Sequence, residues 1–251
     1  MQIAFSTDIG KHRKTNQDDV QVYQNQCGVT LALVADGMGG HRGGDVASDM
    51  VIRHFGLAFE QNQVRDIRAL SHWTNDFLIQ ENQRVIDAAN RKTELNGMGT
   101  TIVGAFVFPD QVAVFNVGDS RCYLFNAGKL RQVSFDHSLV NELLVAGEIT
   151  PEEARTFPNK NIITQSLGVS ADVKPTFGFF DLIEDSQILL CSDGLTNMLS
   201  NHELQEVLKL KLSPQQKCDL FIQKANQAGG LDNITALVID LALDSEDETN
   251  D

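Results

Sequence analysis

Thr101-Ile102-Val103-Gly104-Ala105-Phe106-Val107-Phe108-Pro109-Asp110-Gln111-Val112-Ala113-Val114-Phe115-Asn116-Val117 is the stretch on which the fold turns. Two apolar runs, Thr101–Phe108 and Val112–Val117, flank a Pro-Asp pair of turn formers. So short a connection joins antiparallel strands, because a parallel pair needs a crossover of a dozen residues or more. A second turn, Phe125-Asn126-Ala127-Gly128-Lys129, follows the run Arg121–Phe125. Similar runs recur at Thr30–Ala35, Gln187–Cys191 and Ile234–Leu241. Short strands joined in this way favour antiparallel sheet over alternating βαβ units.

Helical spacing separates these runs. Val46, Ala47, Met50, Val51, Phe55 and Ala58 fit one helix face, and Ile67, Leu70, Trp73, Phe77, Leu78, Val85 and Ala89 fit another. Thr150-Pro151-Glu152-Glu153 and Ser200…Glu203 read as capping boxes. Ser213-Pro214 opens a helix with Cys218, Phe221, Ile222 and Ala225 inward, closed by Gly229-Gly230. The expected architecture is α+β, antiparallel sheet packed against helices. With no internal repeat and no Pro/Ser-rich linker, one domain is expected over 1–243. Residues 244–251, with five acidic groups among eight residues, read as a solvated, disordered tail.

The chain has 251 residues, 42% hydrophobic and 22% charged, ordinary proportions for a globular protein. A formal net charge of −14 argues against nucleic-acid or acidic-membrane partners. No run of 18 apolar residues marks a membrane span, and the first eight residues lack the layout of a signal peptide. The four cysteines are far apart, with no C-x-x-C pair, which fits reduced thiols in a cytoplasmic protein.

Acidic residues stand where the apolar runs end or begin. Thr30–Ala35 leads into Asp36-Gly37-Met38-Gly39-Gly40-His41, Val112–Val117 into Gly118-Asp119-Ser120-Arg121, and Gln187–Cys191 into Ser192-Asp193-Gly194. Asp232-Asn233 precedes the run from Ile234. One such residue is usually a turn former; four of them point to a shared role. Two carboxylates about 5 Å apart repel by about 3 kcal/mol at an effective dielectric of about 20, which a cation offsets. Oxygen-only ligation suits Mg²⁺ or Mn²⁺ rather than zinc, and the six histidines show no metal-type pair. Gly37, lacking a Cβ, lets its carbonyl approach a metal held by Asp36, or simply makes a tight turn.

Together these residues resemble a known family. Thr7-Asp8-Ile9-Gly10-Lys11-His12-Arg13-Lys14-Thr15-Asn16-Gln17-Asp18 is similar to the opening motif of the type 2C protein phosphatases, the metal-dependent serine/threonine family. The Asp36 motif, Gly99-Thr100-Thr101, the Asp119 motif, Ser192-Asp193-Gly194 and Asp232-Asn233-Ile234-Thr235 match its later motifs in order, covering about residues 2 to 241. The wording is most like the stand-alone bacterial members, which commonly oppose a membrane-bound serine/threonine kinase.

The resemblance implies a central antiparallel β-sandwich flanked by helices on both faces, with two Mn²⁺ or Mg²⁺ ions at one end. Asp36 would bridge the ions, Asp193 and Asp232 would complete one of them, and the Gly37 carbonyl would contact the other. Asp18 would act through metal-bound waters, and Asp119 would help hold a third, weaker ion. Arg13 would bind the substrate phosphate, its planar fork suiting phosphoryl oxygens. Some relatives place a histidine directly after the first Asp-Gly to protonate the leaving oxygen. Here Met38 stands there, so His41 is the candidate acid, a structural role being the alternative. Residues 136–165 match the flap beside the active site.

A metal-bridging water or hydroxide would then attack phosphorus in phosphoserine or phosphothreonine proteins. Thiol chemistry is disfavoured, since the places six after each cysteine hold Leu33, Gly128, Asn197 and Lys224 rather than arginine. Three other readings stand beside this one, of which a structural calcium-binding protein is disfavoured because the D-x-D-x-D-G loop is missing. A phosphate-sensing module without catalysis is opposed by the intact Asp36, Asp193 and Asp232. A Mg²⁺/Mn²⁺ hydrolase of nucleotides or free phosphate esters stays open, although no Walker-type loop is present.

Overall fold

The computed structural model describes residues 1–39, 43–155, 157–158 and 162–241. The chain begins with strands β1 (Gln2–Asp8), β2 (Asp18–Gln24) and β3 (Thr30–Met38), then helices α1 (Gly44–Glu60) and α2 (Ile67–Arg91). Strands β4 (Gly99–Thr100), β5 (Ile102–Val107), β6 (Gln111–Val117), β7 (Arg121–Asn126) and β8 (Lys129–Gln132) follow. Then come α3 (Leu139–Ala146), α4 (Pro151–Arg155), β9 (Thr176–Asp181) and β10 (Gln187–Cys191). The described chain ends with α5 (Asp193–Thr196), α6 (Asn201–Lys209), α7 (Pro214–Gln227) and β11 (Ile234–Asp240).

Two sheets form, ordered β1-β11-β10-β7-β8 and β2-β3-β5-β6-β9, with β4 paired to the end of β3. Every named strand pair is antiparallel. The hairpin expected at 108–111 closes with the Phe108 amide donating to the Gln111 carbonyl at 2.9 Å. The turn after β7 has Ala127 and Gly128 at φ +48° and +75°, as the primed hairpin turns require.

Alternation along the strands builds three apolar layers. On β3, Leu31, Leu33 and Ala35 face α1 and α2, while Ala32 and Val34 face the other sheet. On β11, Ala236 and Val238 face α7, while Leu237 and Ile239 meet the inner side of the sheet that holds β3. The result is the expected helix–sheet–sheet–helix sandwich.

The structure also corrects details. Six strands were legible as apolar runs, with ends shifted by a residue or two; β3 itself runs on through Asp36 and Gly37 to Met38. The apolar runs did not mark β1, β2, β8 and β9, which are the four sheet edges. Edge strands bury one face at most and carry polar residues on the other, so no continuous run forms. On α1, Val46 is exposed rather than inward. The Ser200 and Ser213 boxes cap α6 and α7, and the Gly230 amide closes α7 on the Ala225 carbonyl.

Candidate active site

Antiparallel pairing places the start of β2 and the ends of β3, β6 and β10 at the same end of the sandwich as the start of β11. Asp18 and Asp36 are register partners across β2 and β3. Asp119 follows β6, Asp193 opens α5 directly after β10, and Asp232 lies two residues before β11. The strand ends thus bring together the five aspartates singled out in the sequence. His41 lies outside the described residues.

Each aspartate is held by motif neighbours. The Asp18 Oδ2 accepts hydrogen bonds from the Ser192 and Thr235 hydroxyls, each at 2.7 Å, crossing from one sheet to the other. The Asp36 amide donates to Thr101 Oγ1 at 3.0 Å, and its carbonyl accepts from the Thr100 hydroxyl and the Thr101 amide. The Gly-Thr-Thr motif therefore fixes the backbone of Asp36. A Cβ on Gly37 would collide with the Gly44 carbonyl, so only glycine lets α1 start this close to β3. Asp193 accepts from Asn197 at 2.9 Å through Oδ2.

The loop carrying Arg13 is tied down by Asn233. Its Oδ1 accepts from the Gln17 amide, and its Nδ2 donates to the Ile9 and Thr15 carbonyls. Arg13 donates to Asp232 Oδ2 at 2.7 Å with its side chain 51% exposed, so the pair is a weak surface bridge. Sequence reasoning gave no role to Asn233, Thr100, Thr101, Ser192 or Thr235. The available signal was that each sits inside a motif, next to or near an aspartate.

Asp119 is buried, and its neighbour Arg121 is paired elsewhere. Arg121 donates twice to Asp136 Oδ2, at 2.9 and 2.6 Å. The buried His137 accepts from the Gly118 amide through Nδ1 at 3.0 Å, leaving Nε2 to donate to Thr176 Oγ1 at 2.9 Å. This fixes the backbone preceding Asp119, and burial lowers the His137 pKa.

Burial is the first cause of the shifts at Asp18, Asp36, Asp119 and Asp193. It pushes Asp18 up to about 7, against the two hydroxyls and with help from Asp193 and Asp232. Asp119 is also pushed up to about 7, by burial and then by Asp193. Asp36 is held well above its usual value by burial, with Asp18 and Asp193 adding to it, and Asp193 is raised in turn. The Asp36 and Asp193 carboxyls lie close enough for each to bear on the other's titration. Among the described residues no trio of His, Cys, Asp or Glu stands in ready ligand geometry.

The oxygens themselves test the fit of a cation. Asp18 Oδ1, Asp119 Oδ1 and Asp193 Oδ1 are buried with no hydrogen-bond partner. An unpartnered buried carboxylate oxygen is costly. Three on converging elements, all oxygen donors, fit a hard divalent cation. A cavity of about 690 Å³ opens from Asp119 and Asp193 toward α3 and α4.

The fold and site define a two-sheet sandwich with a carboxylate centre at one end of its inter-sheet layer. The family profile of "Protein phosphatase 2C" matches residues 11–220. The chain is 41% identical to "Protein phosphatase PhpP" of Streptococcus pneumoniae over 96% of its own length and 98% of that protein. It superposes on the S. agalactiae serine/threonine phosphatase with a TM-score of 0.90 and 40% identity, covering 94% of this chain and 98% of that one. The catalytic domain of the serine/threonine protein phosphatase PstP, solved in complex with two manganese ions, matches with a TM-score of 0.82 and 30% identity, over 95% and 97% of the two chains. The chain belongs to the protein phosphatase 2C family.

Proposed function

We propose that the chain hydrolyses phosphoserine and phosphothreonine in proteins, and that Mn²⁺ or Mg²⁺ at the carboxylate centre is required. The observation that carries this is the set of three buried, unpartnered oxygens on Asp18, Asp119 and Asp193. Asp36, Asp193, Asp232 and the Gly37 carbonyl are assigned to two core ions, with Asp18 in their outer sphere and Asp119 on a third ion. Bound there, the ions supply Lewis acidity and acidify water for attack on phosphorus.

The chain's own residues do the rest. Arg13, on a loop pinned by Asn233, exchanges its exposed bridge to Asp232 for phosphoryl oxygens and orients the ester. Asp18, with Oδ2 anchored by two hydroxyls, presents Oδ1 in a fixed direction as an acceptor that aligns water. The sheet ends bury the Oδ1 atoms of Asp18, Asp119 and Asp193, while Asp232 stays part-exposed beside Arg13.

Phosphorylated proteins are the substrate class, and a bacterial serine/threonine kinase with its targets is the proposed counterpart. A cytoplasmic location fits the chain; among the described residues no helix is long and apolar enough to cross a membrane. A single domain over 1–243 is supported by β1 pairing with β11, which joins the two ends of the described chain. The acidic 244–251 segment lies outside the described residues.

Phosphate release from phosphoserine, phosphothreonine and phosphotyrosine peptides tests the proposal. Turnover of the first two with Mn²⁺ or Mg²⁺, lost in chelator and restored by added metal, is expected. Full turnover after exhaustive metal removal would contradict it.

A further inference from the structure

Behind Asp18 lies a set of polar side chains that the proposed chemistry does not use. Thr7 on β1 is the register partner of Thr235 on β11, and their hydroxyl oxygens stand 2.8 Å apart. Asn16, between β1 and β2, donates from Nδ2 to Thr7 Oγ1 at 2.8 Å. Its Oδ1 accepts from the Asp18 amide at 3.2 Å. Thr235 in turn donates to Asp18 Oδ2 at 2.7 Å. These bonds close a ring that leaves Asp18 by its amide and returns to it at its carboxylate.

The donors and acceptors give the ring a single direction. A carboxylate only accepts, so the one hydrogen of the Thr235 hydroxyl is spent on Asp18. The Thr7 hydroxyl must then donate to Thr235, and its oxygen is left to accept from Asn16. Asn16 is held in one orientation, because only its Oδ1 can take the Asp18 amide. Asp18 Oδ2 also accepts from Ser192, whereas Asp18 Oδ1 is buried with no hydrogen-bond partner. The ring joins β1 and β11 of one sheet to β2 of the other, so the angle of the carboxylate is set across the sandwich.

We propose that Thr7 and Asn16 are positioning residues for the hydrolysis, completing a one-way ring that keeps Asp18 Oδ1 turned to the reaction centre as an acceptor for water. The inference rests on the phosphatase reading above. Both residues act through Asp18 and touch neither substrate nor ion. Opening the ring at Thr7 takes this partner from Asn16 Nδ2 and from the Thr235 oxygen, and the carboxylate gains freedom to rotate.

The test compares Thr7→Val, which keeps the shape of the side chain, with Thr7→Ser, which keeps the hydroxyl. On a phosphothreonine peptide with Mn²⁺, Thr7→Val should lower kcat by about three- to tenfold with KM within about twofold, and Thr7→Ser should stay within about twofold of wild type. Equilibrium dialysis should show unchanged Mn²⁺ binding in both. In the metal-free protein, hydrogen exchange at the Asp18 amide should quicken by about tenfold in Thr7→Val and stay as in wild type in Thr7→Ser. Asn16→Ala opens the same ring, so adding Thr7→Val to it should cost less than about twofold more. Wild-type kcat in Thr7→Val, an equal loss in Thr7→Ser, or a loss that only tracks weakened Mn²⁺ binding would overturn the positioning role. A wild type inactive on the peptide with Mn²⁺ would overturn the phosphatase reading, and the positioning role with it, even if the exchange result held.

Discussion

The middle and the end of the inter-sheet layer are built on the same strands with opposite chemistry. In the middle, Val20 faces its register partner Val34, and Val22 faces Ala32. One pleat repeat further along the same two strands, Asp18 faces Asp36. The apolar pairs gain stability by leaving water, at about 25 cal/mol per Å². The aspartates are held toward protonation by burial and by one another. The sandwich takes its rigidity from its middle and gives up stability at its end to assemble a reactive centre.

The largest effect is expected where that end is disarmed. Asp36→Asn, Asp193→Asn and Asp232→Asn should each lower kcat by at least about a hundredfold, because a catalytic metal contributes several kcal/mol. Thermal unfolding in chelator should show all three still folded. Near-normal turnover of any one at saturating Mn²⁺ would remove that residue from the centre.

Damage to the middle should do the reverse. Leu190, fully buried between Cys122 and Leu237 in register, should cost about 2–5 kcal/mol of stability as Leu190→Ala. Denaturant titration measures the loss, and turnover per folded molecule should survive. If activity collapsed while stability held, the division between middle and end would be wrong.

Arg13→Ala should lower kcat/KM by about tenfold to a hundredfold, chiefly by raising KM, as expected for a charge-assisted contact of about 1.5–3 kcal/mol. Steady-state kinetics on a phosphothreonine peptide measures it. An unchanged KM with wild-type turnover would make Arg13 only a surface partner of Asp232.

The smallest effect is expected at Asp119, where the two kinds of chemistry meet. Asp119 is raised from its ordinary 3.8 to about 7, burial being the main cause. In chelator the wild type should therefore lose stability as pH rises from about 4 to about 7, since the native state holds the proton that the unfolded chain releases. Asp119→Asn should gain on the wild type over the same window, by about 1 kcal/mol or 2–4 °C in Tm at pH 8, and by nothing near pH 4. It should also lose turnover on phosphoproteins. A variant that melts earlier yet turns over normally at every Mn²⁺ concentration would reduce Asp119 to a turn cap.

Legibility followed burial. β3, β5, β6, β7, β10 and β11 were visible because central strands, covered on both faces, read as continuous apolar runs. The edges β1, β2, β8 and β9 were hidden by the polar residues of their exposed side. α3 was hidden too, being short and burying nothing. In the site, the aspartates stood out because they interrupt apolar runs. Their supports did not: a hydroxyl such as that of Ser192 or Thr235 carries no signal until the sheets bring it to 2.7 Å from Asp18. The Asn233 clamp on the Arg13 loop joins residues more than 200 positions apart, beyond the reach of any local pattern.

The most direct measurement of the central claim is Mn²⁺ titration of metal-stripped wild type and Asp36→Asn, with bound Mn²⁺ and phosphate release from a phosphothreonine peptide read together. The account predicts that stripped wild type is folded and inactive, that activity rises with the filling of two tight sites, and that Asp36→Asn stays folded while losing both tight binding and turnover. Phosphate release by the stripped wild type, or undiminished tight binding in Asp36→Asn, would contradict it.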